Sequence, residues 1–113
     1  MKCGDVHWAD LDPPRGTEPG KTRPVLVVQT DLLNDVGHLS TIVAMLTTHV
    51  LTRPDPLRVH VPKGAGGLEH ASDVLVEQIH SIDNRRIQNP IGKLPSDIME
   101  EVGIKLRRVL DLV

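Results

Sequence analysis

The side chains best suited to chemistry lie in one short polar segment, residues 16–24, which reads Gly-Thr-Glu-Pro-Gly-Lys-Thr-Arg-Pro. Its two glycines allow backbone conformations that other residues resist, and a carboxylate, two hydroxyls and two cations stand close together. The apolar run Val25-Leu26-Val27-Val28 follows at once. A loop that leads into a buried strand can hold reactive groups in fixed positions. The segment therefore predicts a functional loop, and the alternative is a surface hairpin loop with solvated charges.

Arg23 is the residue of this loop that a strand would hold most firmly, because it stands just before the apolar run. Its guanidinium is a planar fork of donors that matches the oxygens of a phosphate group. Arg23 therefore favours a ligand that carries phosphate.

The rest of the chain alternates between short apolar segments and turns. Alternation in residues 5–11 predicts a first strand with Val6 and Trp8 inward and Asp5 and His7 outward. Further strands are predicted at residues 24–30, 41–48, 57–61, 73–80 and 87–94. The third strand is the most apolar of these and is expected at the centre of the sheet. Residues 31–39, 50–56 and 62–67 are rich in turn formers and predict connections.

The C-terminal segment changes to the period of a helix. Its apolar residues recur at helical spacing: Ile98, Val102, Leu106, Val109 and Val113. Ser96 is expected to cap this helix, and Gly103, which costs a helix roughly 1 kcal/mol against alanine, suggests close packing. Short strands followed by one amphipathic helix predict a small curled sheet packed on that helix.

Length and composition limit the possible classes of protein. A chain of 113 residues suits a single domain spanning residues 1–113. One cysteine, Cys3, excludes an internal disulfide and a cysteine-rich zinc site. The sequence has no long apolar run and no signal-peptide pattern, which predicts a cytoplasmic protein without a membrane segment. Five histidines recur every ten or eleven residues and raise the alternative of a metal site, although their spacing matches no helical metal motif: His38, His49, His60, His70 and His80.

Three parts of the chain, in order, resemble the MazF/PemK family of toxin endoribonucleases. The first part is Gly4-Asp5-Val6-His7-Trp8-Ala9-Asp10-Leu11-Asp12-Pro13, the loop, and Thr22-Arg23-Pro24-Val25-Leu26-Val27-Val28. The second is Thr41-Ile42-Val43-Ala44-Met45-Leu46-Thr47-Thr48, which resembles the family's third strand. The third is Gly67-Leu68 with Ser72, Val74 and Gln78, followed by Ile82-Asp83. The resemblance covers nearly the whole chain at family spacing.

The resemblance implies a mainly β fold: an SH3-like curled β-barrel of five to seven short strands with a C-terminal amphipathic α-helix, usually in a homodimer. It implies the toxin of a type II toxin–antitoxin pair, a metal-independent and sequence-specific endoribonuclease with no cofactor. Such an enzyme cleaves single-stranded RNA to 2′,3′-cyclic phosphate and 5′-OH ends. Its second partner is an antitoxin with an acidic segment.

The net charge of −2 requires any RNA site to be a local basic patch on a nearly neutral protein. Six cations at predicted loops and strand ends could form it: Lys21, Arg23, Arg53, Arg58, Arg85 and Arg86. Phe and Tyr are absent and Trp8 is the only aromatic residue, so base recognition is expected to use hydrogen bonds, arginine planes and shape.

The resemblance also implies the site residues. Arg23, Thr47 and Glu18 are the catalytic candidates: Arg23 against the developing charge, Thr47 on the scissile phosphate, and Glu18 to orient Arg23 or accept a proton. The substrate-binding candidates are Thr17, Lys21, Thr48, Glu77, Gln78 and His80. Glu77 and Gln78 are adjacent, so a regular strand points them to opposite faces and only one lines the groove unless the strand bends.

The chain departs from common family patterns at three positions. Thr17 stands where some branches place a histidine in the loop. His80 stands where several relatives have arginine, and it is a candidate acid or base because histidine titrates near neutrality. Leu75 stands where other branches carry the arginine of an Arg-x-Asp pair. The chain therefore resembles most the branch that relies on Arg23 and Thr47.

Two other functions remain open from the sequence. CcdB-like toxins use the same fold to bind DNA gyrase through the end of the helix, where this chain reads Leu110-Asp111-Leu112-Val113 without an obvious gyrase-binding pattern. A relative that has lost catalysis and only binds RNA or antitoxin is the other alternative.

Overall fold

The computed structural model describes residues 1–11 and 21–113, and these form one antiparallel sheet and a C-terminal helix. The six strands run in chain order: β1 (Asp5–Asp10), β2 (Thr22–Val27), β3 (Ser40–Thr47), β4 (Arg58–Val61), β5 (Ser72–Asp83) and β6 (Ile87–Lys93). Their order across the sheet is β4-β5-β3-β2-β1-β6. β3 lies inside the sheet as predicted, which agrees with its apolar sequence.

The two faces of the sheet build two apolar clusters. On one face the sheet packs against the helix α2 (Ser96–Val109), whose Val102 is buried among side chains from several strands: Val6, Leu26, Ala44, Leu46, Val59, Val61, Val74 and Val76. On the other face Ala9, Val25, Val43 and Ile82 form a smaller cluster. Val25 and Val43 share a face, because Val25 pairs with Met45, which lies two residues from Val43 on the same side of β3.

The sheet curls, because β4 and β1 stand far apart in the strand order and yet send Val59 and Val6 into the same cluster. β4 and β6 are its two edges, and the described strands do not close into a complete barrel. The 3-10 turn Ala65–Gly67, which follows β4, packs on β6 across this gap. The prediction of a mainly β curled sheet of five to seven strands with a C-terminal helix is therefore confirmed, with six strands and an open edge.

Glycine is required where the 3-10 turn meets β6. Gly66 and Gly67 both have positive φ, at 64° and 78°. A Cβ on Gly67 would overlap the carbonyl oxygen of Ile91, and a Cβ on Gly92 would lie 2.6 Å from the carbonyl carbon of Gly66. The two backbones therefore approach more closely than any side chain would permit.

Four predictions about β1 and the helix are wrong. Trp8 does not point into the core but is 41% exposed, while Val6 is fully buried. Ser96 does not cap α2, because Pro95 occupies the N-cap position and no side chain caps the helix there. Val113 lies beyond the last helical residue, Val109. Apart from the nearby backbone of the helix itself, no atom of the described residues lies within 4 Å of the place where a Cβ on Gly103 would stand.

Other boundaries shift by a few residues. β2 begins at Thr22 and ends at Val27, and β5 is longer than predicted at 12 residues. The connection predicted at residues 31–39 contains a short helix, α1 (Asp31–Asp35), whose N-cap Thr30 accepts a hydrogen bond from the N–H of Leu32 at 3.3 Å. In the described part of the chain, no helix is long and apolar enough to cross a membrane.

Replacing Gly92 by alanine should destabilise the fold, because the new methyl group meets backbone that cannot move aside. Overpacking of this kind costs typically about 1–3 kcal/mol in the free energy of unfolding. The matched control is Gly103→Ala, which meets open space in a helix and should stabilise by up to about 1 kcal/mol. Urea unfolding of both variants measures the difference, and equal effects at the two positions would contradict the close contact.

Candidate active site

A break in the pairing between β3 and β5 shapes the site. Ala44 pairs with Ile79, but its neighbour Met45 pairs with Leu75, so three residues of β5 have no partner in β3: Val76, Glu77 and Gln78. The N–H of Val76 donates instead to the carbonyl oxygen of Leu57 at 3.0 Å. An odd number of extra residues reverses the alternation of side chains beyond the bulge. Leu75 and His80 therefore face the same side, although five positions separate them.

This face carries a concave cavity of about 500 Å³. Its polar side chains come from three strands and the turn before β6: Arg23, Thr47, Gln78, His80, Ser81 and Arg86. Apolar side chains complete the lining: Leu11, Met45, Leu46, Leu75 and Ile82. The cavity thus combines two guanidinium groups, a hydroxyl, an amide and an imidazole on an apolar floor, which suits an anionic ligand with flat apolar parts.

Arg23 and Thr47 lie on neighbouring strands at this cavity. Arg23 pairs with Ala9 on one side, and the β2–β3 register pairs Val25 with Met45. The same register, continued by two residues, places Arg23 directly opposite Thr47, and both side chains line the cavity. Side chains in such positions have Cβ atoms about 4.5–5.5 Å apart. One phosphate group can therefore contact the guanidinium and the hydroxyl at the same time.

Thr47 is the last residue of β3, and its hydroxyl oxygen accepts a hydrogen bond from the N–H of His49 at 3.1 Å. A hydroxyl group has one hydrogen to donate in addition to its lone pairs. Because the backbone contact uses a lone pair, the hydroxyl hydrogen remains available to a ligand in the cavity.

Asp73 is a functional candidate that the sequence analysis missed. It pairs with Thr47 in β3 and with His60 in β4, so Arg23, Thr47, Asp73 and His60 form one row across four strands on the same face. Asp73 is only 2% exposed. Asp73 is the second residue of β5, and only the strand register shows which residues it pairs with.

The buried carboxylate of Asp73 holds the segment that follows Thr47. One oxygen accepts from the N–H of Leu51 at 3.0 Å and from Nη1 of Arg58 at 3.2 Å, and the other lies 3.1 Å from Nδ1 of His60. Nη1 of Arg58 also donates to the carbonyl oxygen of His49 at 2.8 Å. Asp73 and Arg58 thereby fix the turn at residues 48–51, whose His49 N–H binds the Thr47 hydroxyl.

These contacts also set the charge state of Asp73. Burial acts to raise the pKa of its carboxyl group, but the hydrogen bonds from Leu51, His60 and Arg58 and the charge of Arg58 outweigh burial. The pKa of Asp73 therefore lies below its usual value, and the carboxylate is ionised at neutral pH.

The histidines do not form the metal site that their sequence spacing suggested. Within residues 1–11 and 21–113, no group of three or more His, Cys, Asp or Glu side chains is arranged to hold a metal ion. His60 contacts Asp73, and His80 lines the cavity with Arg23.

Sequence comparison shows the family to which the chain belongs. Residues 2–110 match the family model described as PemK-like, MazF-like toxin of type II toxin-antitoxin system. The chain belongs to this family. It is 37% identical to endoribonuclease MazF6 of Mycobacterium tuberculosis over 108 residues, which cover 96% of this chain and 95% of the relative. It is also 37% identical to endoribonuclease EndoA of Bacillus subtilis over 113 residues, covering 100% and 97% of the two chains.

Solved MazF structures share the fold. The toxin MazF-mt6 of Mycobacterium tuberculosis superposes with a TM-score of 0.79 at 25% identity, covering 96% of this chain and 98% of the other. A MazE–MazF crystal structure from Deinococcus radiodurans gives a TM-score of 0.81 at 26% identity, covering 100% and 97%. The expectation of a MazF/PemK toxin is therefore confirmed.

The residues expected from the family resemblance are only partly brought together. Arg23, Thr47, Gln78 and His80 share the cavity, and Arg86 joins them. Glu77 is exposed and does not line this cavity, and the bulge does not bring it alongside Gln78. Thr17 and Glu18 lie outside the described residues.

Lys21 and Thr48 lie near the site but outside the cavity lining. Lys21 is exposed, and its carbonyl oxygen accepts from the N–H of Leu11 at 3.0 Å. Thr48 lines a separate, smaller cavity. The expected cationic patch is also divided: Arg53 and Arg58 lie at another cavity beside Asp73, and Arg85 pairs with Asp83 at 3.0 Å.

Asp73→Asn should lower stability, because the amide cannot replace the charge that Arg58 and the N–H of Leu51 contact. Hydrogen bonds to charged groups contribute about 1.5–3 kcal/mol, and we expect a loss of that order at pH 7. Because the folded-state pKa is lowered, this stabilisation is present above the unfolded-state pKa of about 3.9 and disappears as the pH falls below it.

Urea unfolding of wild type and Asp73→Asn between pH 7 and pH 3 tests this dependence. The stability difference should shrink at the acid end. A difference that stays constant over the whole range would show that the charge of Asp73 contributes nothing to folding.

Proposed function

We propose that this protein is the toxin of a type II toxin–antitoxin pair that cleaves single-stranded RNA at a short sequence motif. The observation that supports the proposal most strongly is the convergence of Arg23 and Thr47 at one cavity, on neighbouring strands of one sheet face. The relatives named endoribonuclease, at 37% identity over nearly the full chain, support the same activity.

The chemistry follows from the groups available in the cavity. The ribose 2′-OH attacks the adjacent phosphorus and the bond to the 5′ oxygen breaks, which leaves a 2′,3′-cyclic phosphate and a 5′-OH. A base removes the proton of the 2′-OH, and an acid returns one to the leaving oxygen. No metal is needed in this scheme, because the nucleophile belongs to the substrate and the guanidinium of Arg23 supplies positive charge.

Arg23 and Thr47 have separate roles in this proposal. The guanidinium of Arg23 binds the non-bridging oxygens and stabilises the negative charge that grows during attack. The Thr47 hydroxyl donates to one of the same oxygens and fixes the phosphate relative to β3. Arginine remains protonated at neutral pH, which makes it a poor base. His80 in the cavity and Glu18 of the preceding loop are therefore the proposed proton carriers.

The proposed partners follow from the family and from the charge of the site. A type II toxin is paired with an antitoxin, and the related Deinococcus structure contains MazE with MazF. An acidic antitoxin segment that covers Arg23 and Arg86 would exclude RNA by occupying the same cavity. We further propose that the chain works in the cytoplasm as a homodimer, in which a second copy extends the binding groove.

The proposed function is tested by incubating the purified protein with a mixed RNA in excess EDTA and mapping the new ends. We expect cuts at a short recurring motif that leave 5′-OH ends. Cleavage only after addition of a divalent metal would contradict the mechanism. Intact RNA together with stalled DNA gyrase would favour the CcdB-like alternative.

Arg23→Ala should reduce the cleavage rate about a hundred- to a thousandfold, the usual loss when a donor to a transition-state oxyanion is removed. Arg23→Lys should also be largely inactive, because it keeps the charge but loses the planar fork. Stability should change by no more than about 0.5 kcal/mol, since the side chain is exposed.

The matched control for Arg23 is Arg85→Ala, which removes another exposed arginine, one that does not line the cavity, and should leave the rate unchanged. Single-turnover cleavage is measured beside thermal melting. Wild-type cleavage by a folded Arg23→Ala variant would show that the active site lies elsewhere.

Thr47→Val should keep β3 intact but slow cleavage by roughly ten- to a hundredfold, the value of one hydrogen bond to a charged oxygen at about 1.5–3 kcal/mol. Thr47→Ser retains the hydroxyl and should stay close to the wild-type rate. Equal loss in both variants would mean that packing of the methyl group, rather than the hydroxyl, matters at this position.

A further inference from the structure

Trp8 occupies an unexpected place for the only aromatic side chain of the protein. A tryptophan buries about 150–250 Å² in a core, and this chain has no Phe or Tyr to supply such area. Trp8 is nevertheless 41% exposed. Residues of this type on a surface commonly serve in binding, because the flat ring offers a large contact area and an N–H donor.

The exposed indole lines a cavity of about 260 Å³. Pro24, which pairs directly with Trp8 across β1 and β2, stands beside it, and Leu68 and Ile91 add apolar walls. Polar groups are contributed by Thr48, Glu69 and His70. The cavity therefore offers a flat aromatic ring, apolar walls and several hydrogen-bonding groups.

Residues that line this cavity directly follow, in the sequence, residues that line the proposed active site. Pro24 follows Arg23, and Thr48 follows Thr47, so each catalytic candidate has a direct neighbour in the second cavity. Successive residues of a strand point to opposite faces, which places the two cavities on opposite sides of the sheet at one end. β1 and β3 end there and β2 begins there.

We propose that the Trp8 cavity binds one base of the RNA substrate, from a nucleotide that flanks the scissile phosphate. The base stacks on the indole, and Thr48, Glu69 or His70 contacts its hydrogen-bonding edge. Aromatic stacking is a general means of holding single-stranded RNA. The inference rests on the proposed function, since it places a second part of the same substrate.

Size and charge favour a base over a protein segment. Pockets for drug-sized ligands measure about 300–1,000 Å³, so a cavity of 260 Å³ is suited to a single ring system. An acidic antitoxin segment would bring its carboxylates close to Glu69, whereas a neutral base meets no such repulsion. The position beside Arg23 and Thr47 also matches a strand whose phosphate is held there.

The experiment uses Trp8 as its own reporter, because the protein has no other tryptophan. The ligand is an RNA with a mapped cleavage site in which the cleaved nucleotide carries a 2′-deoxyribose, so that it binds without being cut. Binding should quench the Trp8 fluorescence. A series of the same RNA with one abasic nucleotide at a time then locates the base responsible.

One abasic position beside the scissile phosphate should abolish the quenching and weaken binding by about five- to 150-fold, the range for loss of one stacked base at about 1–3 kcal/mol. Trp8→Leu should weaken binding of the intact RNA by a similar factor, and in this variant the abasic substitution should have no further effect. Trp8→Phe keeps a stacking ring and should retain most of the affinity. Leu32→Ala removes another exposed apolar side chain, which does not line the cavity, and should change nothing.

Two outcomes would overturn the proposal for the Trp8 cavity. If the wild type still cleaves RNA, neither of them affects the proposed function. In the first, folded Trp8→Leu binds all the RNAs as the wild type does. In the second, the fluorescence responds to an acidic antitoxin peptide but not to RNA, which would assign the cavity to the protein partner. Absence of RNA cleavage by the wild type would instead contradict the proposed function itself.

Discussion

The cavity proposed as the active site depends on the interrupted pairing between β3 and β5. If β5 paired regularly along its whole length, Leu75 and His80 would point to opposite faces, because an odd number of positions separates them. The three residues without partners in β3 reverse this alternation, and Gln78 then lines the cavity with His80. Of these three residues, the buried Val76 keeps a backbone hydrogen bond, because its N–H donates to the carbonyl oxygen of Leu57.

The two faces of the curled sheet differ in what they carry: one packs the larger apolar cluster, and the other carries the candidate site. The face packed on α2 holds the larger cluster, and the glycine contact between the 3-10 turn and β6 keeps the sheet curled around it. The opposite face has a smaller cluster and a transverse row of polar groups: Arg23, Thr47, Asp73 and His60. Within this row, Asp73 offsets the positive charge of Arg58 and leaves Arg23 and Arg86 as the cations of the cavity. A nearly neutral protein can thereby present a local site for an anion.

The sequence predicted those features that depend on local patterns. Alternation and apolar runs identified the six strands, and helical spacing identified α2. Arg23 was expected to be held in position by the apolar strand that follows it, and it lies within β2. The exposure of Trp8, the start of the helix and the bulge in β5 depend on tertiary contacts, and they were not predicted. Trp8 shares the face of Val6, but burial depends on what covers each position, and only Val6 packs among the residues that contact α2. The capping role of Ser96 failed because the helix begins one residue earlier than expected: Ser96 is its first residue, and Pro95 takes the N-cap position. The bulge leaves no pattern in the sequence, so neither the grouping of Leu75, Gln78 and His80 nor the part played by Asp73 could be derived before the register was known.

We propose that Arg23 and Thr47 together hold the scissile phosphate. The most direct test is a crystal structure of the protein with an RNA that carries 2′-deoxyribose at the cleaved nucleotide. We expect the scissile phosphate in the cavity on the face opposite α2, with non-bridging oxygens about 2.7–3.1 Å from the guanidinium of Arg23 and the hydroxyl of Thr47. A scissile phosphate bound away from both side chains would contradict it.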